Sequence, residues 1–307
     1  VLSGKGGVGK TTVVANLGAA LTNVFSKNVI IFDGNVNTSH LGLHLGMYED
    51  LPVTLREVLK RKAPIMHAVY LHPPTGIRLI PAPLSGDGVN LTRDKCYKLV
   101  NEIRDNYDMM ILDCSPGLGK EVVSTIYAID EAIIVMTPEL PSMTDALKTI
   151  DILNKMDKEV LGVVVNRYRH EKYELTPKEI EATTNSKIIG IIPESKRIPE
   201  SISKGTPVVL SHPNSPPSIA LKKLAATLIG QQYKETNFFE QIMQSFNFIN
   251  ILKKKNVAGK EQTVPQETEV KDASKLKDEL TKEVKDELKR EIVEKVKKRL
   301  KERGFDE

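Results

Sequence analysis

The sequence predicts an α/β protein in which a mostly parallel β-sheet lies between two layers of helices. Six short apolar runs have the length and the β-branched content of fully buried strands. Segments with helical periodicity lie between several of these runs, and strands that alternate with helices indicate right-handed crossovers in a parallel sheet. The apolar runs are residues 29–32, 77–80, 109–112, 132–136, 161–165 and 188–192.

The first element is a glycine-rich loop, SGKGGVGKTT, at residues 3–12. Residues 1–3 are predicted to end a strand, and residues 12–21 have the composition of the helix that follows it. Because a strand, a loop and a helix follow one another, the loop is expected at the carboxyl edge of the sheet, where ligand sites of such folds collect. Further helices are predicted at residues 91–104, 145–156 and 219–229.

The spacing of this loop is typical of a phosphate-binding site. Gly4 is followed by four residues and then by Gly9, Lys10 and Thr11, a pattern whose glycines let successive backbone N–H groups face one anion. Lys10 is expected to reach the terminal phosphates and Thr11 to hold Mg²⁺. The alternative is an ordinary glycine-rich turn. Such a turn needs glycines but not the lysine and threonine that complete the phosphate-binding pattern. The predicted phosphate-binding residues are Gly4, Lys5, Gly6, Gly7, Val8, Gly9, Lys10, Thr11 and Thr12.

Two acidic residues follow predicted strands. Asp33 comes after the run at 29–32, and Asp113 comes after the run at 109–112. The carboxyl ends of parallel strands share one edge with the phosphate loop, and Mg²⁺ takes one or two carboxylates beside phosphate. An aspartate at a strand end can also be a simple turn or helix cap. With the loop present, both residues are predicted metal ligands.

Composition excludes several classes of protein. The chain has 307 residues, enough for a large core and an appendage, and a formal net charge of only +4, which is no signature of strong nucleic-acid binding. Its two cysteines, Cys96 and Cys114, form no C-x-x-C pair, so a disulfide framework or a thiolate metal site is not expected. Neither a membrane-spanning run nor a secretory signal is recognised, which favours a reducing, cytoplasmic location.

The composition changes after residue 233, and we divide the chain there. Residues 1–233 are predicted to form the globular domain, residues 234–256 an amphipathic helix, residues 257–273 a flexible linker and residues 274–304 a long charged helix. Apolar residues recur at every fourth position of that last helix, a spacing that drifts around the helix and disfavours a left-handed coiled coil. It is read as a solvated helix, with a partner-binding helix as the alternative.

Lys5 is the residue that links this phosphate loop to a particular protein family. The form GKGGVGKTT, with a lysine directly after the first glycine, resembles the MinD/ParA family of ATPases, and in particular its archaeal MinD-like branch. The resemblance extends from residue 1 to about residue 233. It implies a P-loop NTPase fold, use of Mg-ATP, and a homodimer that closes around ATP, in which Lys5 reaches the partner's phosphates much as an arginine finger does.

Further segments match this family. The stretch DGNVNTSHLGLHLG from Asp33 resembles the first switch, and LDCSPGLG, which contains Asp113 and Gly117, resembles the second. Asn166 and Arg167, together with Pro193 of the IPE segment, match positions that surround adenine in the family. Ordinary loop chemistry is the alternative for these three residues.

One departure from the family concerns hydrolysis. Many relatives read D-x-D at the first switch, and the second aspartate orients the attacking water, whereas this chain reads Asp33, Gly34, Asn35. An amide can orient water but cannot accept its proton. Lys5, Lys10, Asp33 and Asn35 are therefore the predicted catalytic residues, with slow hydrolysis that an unknown protein stimulates.

The amphipathic segment occupies the place of the membrane-targeting helix of MinD. A weak anchor on an anionic surface becomes strong when dimerisation doubles it, which would make attachment at the inner face of the cell membrane depend on ATP. Packing of this helix on the globular domain is the alternative. The residues predicted to share its apolar face are Phe238, Phe239, Ile242, Met243, Phe246, Ile249 and Leu252.

Several functions remain open for such a fold. A switch that positions cell-division or polar structures on the membrane agrees best with the phenylalanine-rich segment and the modest charge. The alternatives are a ParA-like partition ATPase that binds DNA without sequence specificity, and a positioning ATPase that acts on a protein scaffold. Iron–sulfur carriers of this fold need cysteine ligands that two scattered cysteines supply poorly. Sequence-specific nucleic-acid binding is not indicated.

Overall fold

The computed structural model describes residues 1–36, 40–47, 51–83 and 91–233. The six predicted strands are all present, and most of them extend by one or two residues beyond the apolar run. A seventh strand, too short and too polar for the sequence pattern to reveal, lies at an edge. The strands are β1 (Val29–Asp33), β2 (Tyr70–His72), β3 (Ile77–Ile80), β4 (Met109–Asp113), β5 (Glu131–Met136), β6 (Glu159–Tyr168) and β7 (Ile188–Pro193).

Helices follow most of the strands. The four predicted helices are confirmed, and shorter ones, which have few apolar positions to mark them, lie in the connections. They are α1 (Lys10–Asn23), α2 (Leu41–His44), α3 (Leu55–Leu59), α4 (Arg93–Ile103), α5 (Lys120–Ile126), α6 (Leu140–Lys155), α7 (Pro177–Thr184), α8 (Arg197–Ser203), α9 (Val208–Ser211) and α10 (Pro216–Leu228). Two 3₁₀ turns span Ile65–Ala68 and Arg104–Asn106.

Residues 1–3 join two groups of strands. One group has the order β2-β3-β1-β4 and the other β5-β6-β7, and every pairing within them is parallel except that of β2 with β3. The N–H of Cys114, just after β4, donates to the carbonyl of Val1 at 3.3 Å. On the other side, Leu2 pairs with Ile134 of β5 in parallel, and its N–H donates to Ile133 at 2.8 Å. The phosphate loop therefore begins between the two groups.

The core has two layers, one on each face of the sheet. Alternate residues of β1 divide between them, because successive side chains of a strand point to opposite faces. Ile30 and Phe32 pack with residues of α4, α5 and α6, whereas Val29 and Ile31 pack with residues of α1 and α10. This arrangement confirms the predicted three-layer α/β fold with a mostly parallel sheet.

The proposed boundary at residue 233 coincides with the end of the described residues. The amphipathic helix, the linker and the charged helix predicted after it lie outside them. The division of the chain into these parts stays a prediction.

Candidate nucleotide-binding site

The phosphate loop connects residues 1–3 to α1. Gly9 is the N-cap of α1 and has a left-handed backbone, with φ of 91°, which favours glycine because a Cβ atom is strained there. A Cβ atom at this position would also lie 2.2 Å from the amide nitrogen of Asn166. No described side chain caps α1, and its first turn carries no acidic residue. The N–H groups at this helix end are therefore available to an anion.

The beginning of the loop packs closely on α6. A Cβ atom added to Gly4 would lie 2.2 Å from the backbone oxygen of Asp145, so any larger residue at this position would push the loop away from the helix. The next residues, Lys5, Gly6 and Gly7, are exposed, whereas Val8 is buried. The loop is thus fixed at both ends and open along its middle, as a cradle for phosphate groups requires.

Lys10 is buried at the bottom of this cradle. Its side chain is 6% exposed and its ammonium group forms an ion pair with the carboxylate of Asp113, which is itself buried. Asp113 at the end of β4 lies directly beside Asp33 at the end of β1 in the register of the two parallel strands. The N–H of Gly34 donates to the backbone carbonyl of Asp113 at 2.9 Å. The structure therefore brings both predicted acids to the phosphate loop.

The donor set at this edge suits Mg²⁺. Among the described residues, no group of three or more His, Cys, Asp and Glu side chains could by itself enclose a metal ion. Mg²⁺ does not need such a group, because it keeps several waters and combines one or two carboxylates with phosphate oxygens. Thr11, on the first turn of α1 and next to Lys10, and the two buried aspartates are the residues that would hold it.

Asn35 belongs to a hydrogen-bonded network that joins the two predicted switch segments. Its backbone N–H donates to a carboxylate oxygen of Asp33 at 3.0 Å. The hydroxyl of Ser115 lies 3.2 Å from the side-chain oxygen of Asn35 and 3.2 Å from a carboxylate oxygen of Glu121. A hydroxyl has one hydrogen, so Ser115 donates to one of these oxygens at a time.

Sequence reasoning missed both partners in this network. Ser115 lies inside the second switch motif, so its place in the motif was the available signal. Glu121, on the first turn of α5, carries no such signal in the sequence. Gly117, from the same motif, donates its N–H to Ser3 at 3.1 Å and thereby ties this segment to the start of the phosphate loop.

His44 is a further residue near the acids that the sequence did not mark. Burial lowers the pKa of its imidazole to about 4, although the Asp113 carboxylate acts in the opposite direction, and His40 lowers the pKa further. His44 is therefore neutral at pH 7 and adds no positive charge beside Lys10. His44 lies in a short helix within the stretch that resembles the first switch, and a histidine there is not a recognisable sequence pattern.

Asn166, at the carboxyl end of β6, holds the phosphate loop in place. It is 3% exposed, and its amide nitrogen donates to the carbonyl of Val8 at 2.7 Å. Pro193, at the end of β7, pairs in register with Tyr168 of β6. These residues, with Arg167, lie at the edge that carries the loop, as predicted. Their contact with adenine stays a prediction.

Lys5 lines a small cleft beside the loop, of about 130 Å³. Arg167 and Arg169 line the same cleft, as do Glu139 and Tyr173. Arg167 has a left-handed backbone with φ of 60°, an uncommon conformation for a residue other than glycine. Lys5 is exposed and forms no ion pair or hydrogen bond through its side chain within the described ranges. Its ammonium group is therefore available to a charged group from outside.

The seven residues predicted to bind a membrane, from Phe238 to Leu252, lie outside the described residues. Within the part of the chain that the structure does describe, no helix combines the length and the apolar character needed to cross a bilayer.

Comparison with known proteins agrees with this geometry. The model of the CobQ/CobB/MinD/ParA nucleotide binding domain matches residues 1–208, which include the loop, both aspartates, Asn166 and Pro193. The chain belongs to this family. Within the MinD/ParA family it lies close to MinD, as the form of its phosphate loop predicts.

Three relatives illustrate this position in the MinD/ParA family. An uncharacterized ATP-binding protein of Methanocaldococcus jannaschii is 38% identical over 235 residues, which cover 76% of this chain and 88% of the relative. The septum site-determining protein MinD of Pyrococcus horikoshii, solved with Mg-ADP, has 30% identity and a TM-score of 0.70, covering 74% of this chain and 93% of that one. MinD in the MinC:MinD cell division complex of Aquifex aeolicus has 32% identity and a TM-score of 0.69, covering 77% and 96%.

Proposed function

We propose that this MinD/ParA-family ATPase is a positioning switch that forms a homodimer around Mg-ATP and attaches to an anionic membrane surface in that state. Use of ATP with Mg²⁺ follows from its family, whose solved relatives include MinD with Mg-ADP. The observation that supports dimerisation is the exposed ammonium group of Lys5, which pairs with no described residue, in the same loop as a buried Lys10. A second phosphate-binding lysine has no role within one subunit whose own cradle already contains one.

In this proposal each residue of the site has its own role in binding the nucleotide and the metal ion. The N–H groups of the loop and the start of α1 bind the phosphates, and Lys10 would exchange its ion pair with Asp113 for contact with the terminal phosphates. Asp33, Asp113 and Thr11 hold Mg²⁺, which neutralises charge on the phosphates when bound. Lys5 adds a cation from the partner subunit, where charge on the transferred phosphoryl group is greatest.

Asn35 sets the rate of hydrolysis in this proposal. Its backbone is tied to Asp33, and its amide oxygen faces Ser115, so the side chain is held near the acids but carries no basic group. We expect slow turnover, because a general base accelerates a step of this kind by about 10²–10⁴. Asn35→Asp should change ATP turnover and leave nucleotide affinity within about threefold. Equal turnover in the two proteins, measured by phosphate release, would remove Asn35 from the mechanism.

Dimerisation is tested by sedimentation. The full chain with Mg-ATP should sediment as a dimer and with Mg-ADP as a monomer, and Lys5→Ala should stay monomeric in both while it still binds ATP. The matched control is Lys27→Ala, which removes a lysine that lies four residues beyond the C-terminal end of α1. A Lys5→Ala protein that dimerises with Mg-ATP as the parent does would contradict the role given to Lys5.

Membrane attachment is tested by co-sedimentation with vesicles of phosphatidylglycerol and phosphatidylcholine. The full chain should pellet in Mg-ATP and stay in solution in Mg-ADP, and a chain truncated after Tyr233 should stay in solution in both. Failure to pellet in either nucleotide would remove membrane attachment and favour the alternatives, DNA or a protein scaffold. Binding to duplex DNA in Mg-ATP, weakened steeply by salt, would identify the ParA-like alternative.

A further inference from the structure

A groove of about 370 Å³ lies between α3 with the 3₁₀ turn that follows it and α4, and its described lining contains no residue of the phosphate loop. We call it the basic groove. Its sides carry four cationic side chains and one acidic side chain, and its floor is apolar. The cations are Arg61, Lys62, Lys95 and Lys98, the acid is Glu102, and the floor consists of Val58, Leu59, Ile65 and Leu99.

The charges of the basic groove are not compensated within the described part of the chain. All four cations are exposed, and none of them forms an ion pair there. Elsewhere on the surface, lysines meet carboxylates of their own helix, as Lys155 does with Asp151 at 2.6 Å and Lys204 with Glu200 at 2.8 Å. A concentration of unpaired cations around an apolar floor favours an acidic partner.

The walls of the groove are held in place without a partner. Thr54 and Glu57 form a capping box at the start of α3, and the backbone N–H of Leu55 donates to Pro81 at 2.8 Å. Val58 and Leu59 are each less than 10% exposed and belong to the core. Because the surface is already formed, a ligand would not have to pay the free energy of ordering it.

We propose that the basic groove docks an acidic amphipathic helix of a protein partner. Carboxylates on one side of such a helix meet Lys62, Lys95 and Lys98, while its apolar side chains cover Leu99 and the floor. Glu102, the acid among the described lining residues, repels a carboxylate at its own end and so favours one direction of the bound helix. The proposal rests on this surface alone, not on dimerisation or membrane attachment.

Two other anionic partners fit the groove less well. Single-stranded nucleic acid binds through aromatic rings that stack on its bases, and no aromatic side chain of the described residues lines this groove. Duplex phosphates would meet the cations but leave the apolar floor without apolar contact. A membrane surface is flat on this scale and cannot reach the floor of a concave site.

The test uses the full chain and two labelled peptides of about 16 residues with the same composition. One peptide places leucine at helical spacing among glutamates, and the other has the same residues in scrambled order. Fluorescence anisotropy should show tighter binding of the first peptide. The double variant Lys62→Glu/Lys98→Glu should weaken this binding about tenfold or more. The matched control, Lys178→Glu/Lys187→Glu, makes the same change of charge at exposed lysines elsewhere and should bind as the parent does.

A substitution in the apolar floor of the groove tests whether apolar contact contributes to peptide binding in addition to charge. Leu99→Ser should weaken binding of the amphipathic peptide and leave binding of the scrambled peptide unchanged. Thermal unfolding and ATP binding of each variant establish that it folds. Equal binding of the two peptides, or equal binding by the parent and the groove double variant, would overturn the proposal. Duplex DNA or phosphatidylglycerol vesicles that bind the groove more tightly than the amphipathic peptide would overturn it as well.

Discussion

The two ends of the phosphate loop differ although each carries a lysine. Lys10 is 6% exposed and already paired with Asp113, whereas Lys5, five residues earlier, is exposed and faces a cleft that also contains Arg167. The same charge therefore has two different environments within one loop. The buried lysine therefore contributes to the stability of the fold as well as to the site. The exposed lysine contributes little to stability, so its charge is available for a functional contact.

The largest effect on stability is expected from a substitution of Lys10, at the buried end of the phosphate loop. Lys10→Ala leaves the Asp113 carboxylate buried without its cation, and removal of one partner from a buried ion pair costs about 3–5 kcal/mol. Chemical denaturation measures this loss. The double variant Lys10→Ala/Asp113→Ala should recover part of it, and equal stability of the two variants would show that the unpaired Asp113 carboxylate is not the source of the loss.

His44 should make the free energy of unfolding of the protein sensitive to acid. The pKa of His44 is about 4 in the folded protein against 6.5 for the free side chain, so the unfolded chain binds this proton more tightly. Above about pH 6.5 both states are neutral and the residue contributes nothing. As the pH falls from 6.5 towards 4, the free energy of unfolding should fall, by about 3 kcal/mol at most.

Urea titrations at several pH values measure that slope. His44→Gln removes the titrating group and should flatten the curve between pH 6.5 and 4 relative to the parent. His67→Gln, at an exposed histidine, is the matched control and should keep the slope. An unchanged slope in His44→Gln would assign the acid sensitivity to other groups.

A smaller loss of stability is expected where Asn166 holds Val8, next to the buried end of the loop. Asn166→Ala removes the donor at 2.7 Å from the Val8 carbonyl and should cost about 1–3 kcal/mol, because a buried carbonyl then lacks a partner. Thermal unfolding in the absence of nucleotide measures this cost. Asn154→Ala, at an exposed position of α6, serves as a control. An Asn166→Ala protein as stable as the parent would show that water replaces the amide.

The smallest effect on stability is expected at the exposed end. Lys5→Ala removes a side chain that touches no described partner, so the free energy of unfolding should change by no more than about 0.5 kcal/mol. Denaturation of the monomer without nucleotide measures it. A loss comparable to that of Lys10→Ala would remove the distinction between the two lysines on which the proposed dimer depends.

The sequence predicted those features that are determined by residues close to one another along the chain. Four-residue apolar runs identified β1 and β4, and the loop spacing identified Lys10 and Thr11. The antiparallel strand β2 has three residues and a polar member, His72, so it left no periodic signal. Side-chain partners were hidden for another reason: Ser115 and Asn35 are 80 residues apart, and Asn166 and Val8 are 158 apart, so only the tertiary fold brings them together.

Residues 1–3 link the phosphate loop to the stability of the sheet. They join the two strand groups and lead directly into the loop, so a ligand bound there stabilises the contact between both groups. A ligand at 100 times its Kd adds about 2.7 kcal/mol to the stability of the folded state. We expect protease digestion to proceed slowly in Mg-ATP and faster when nucleotide is depleted, with the first cuts between β4 and β5. Resistance to proteases would then depend on whether the loop holds a nucleotide.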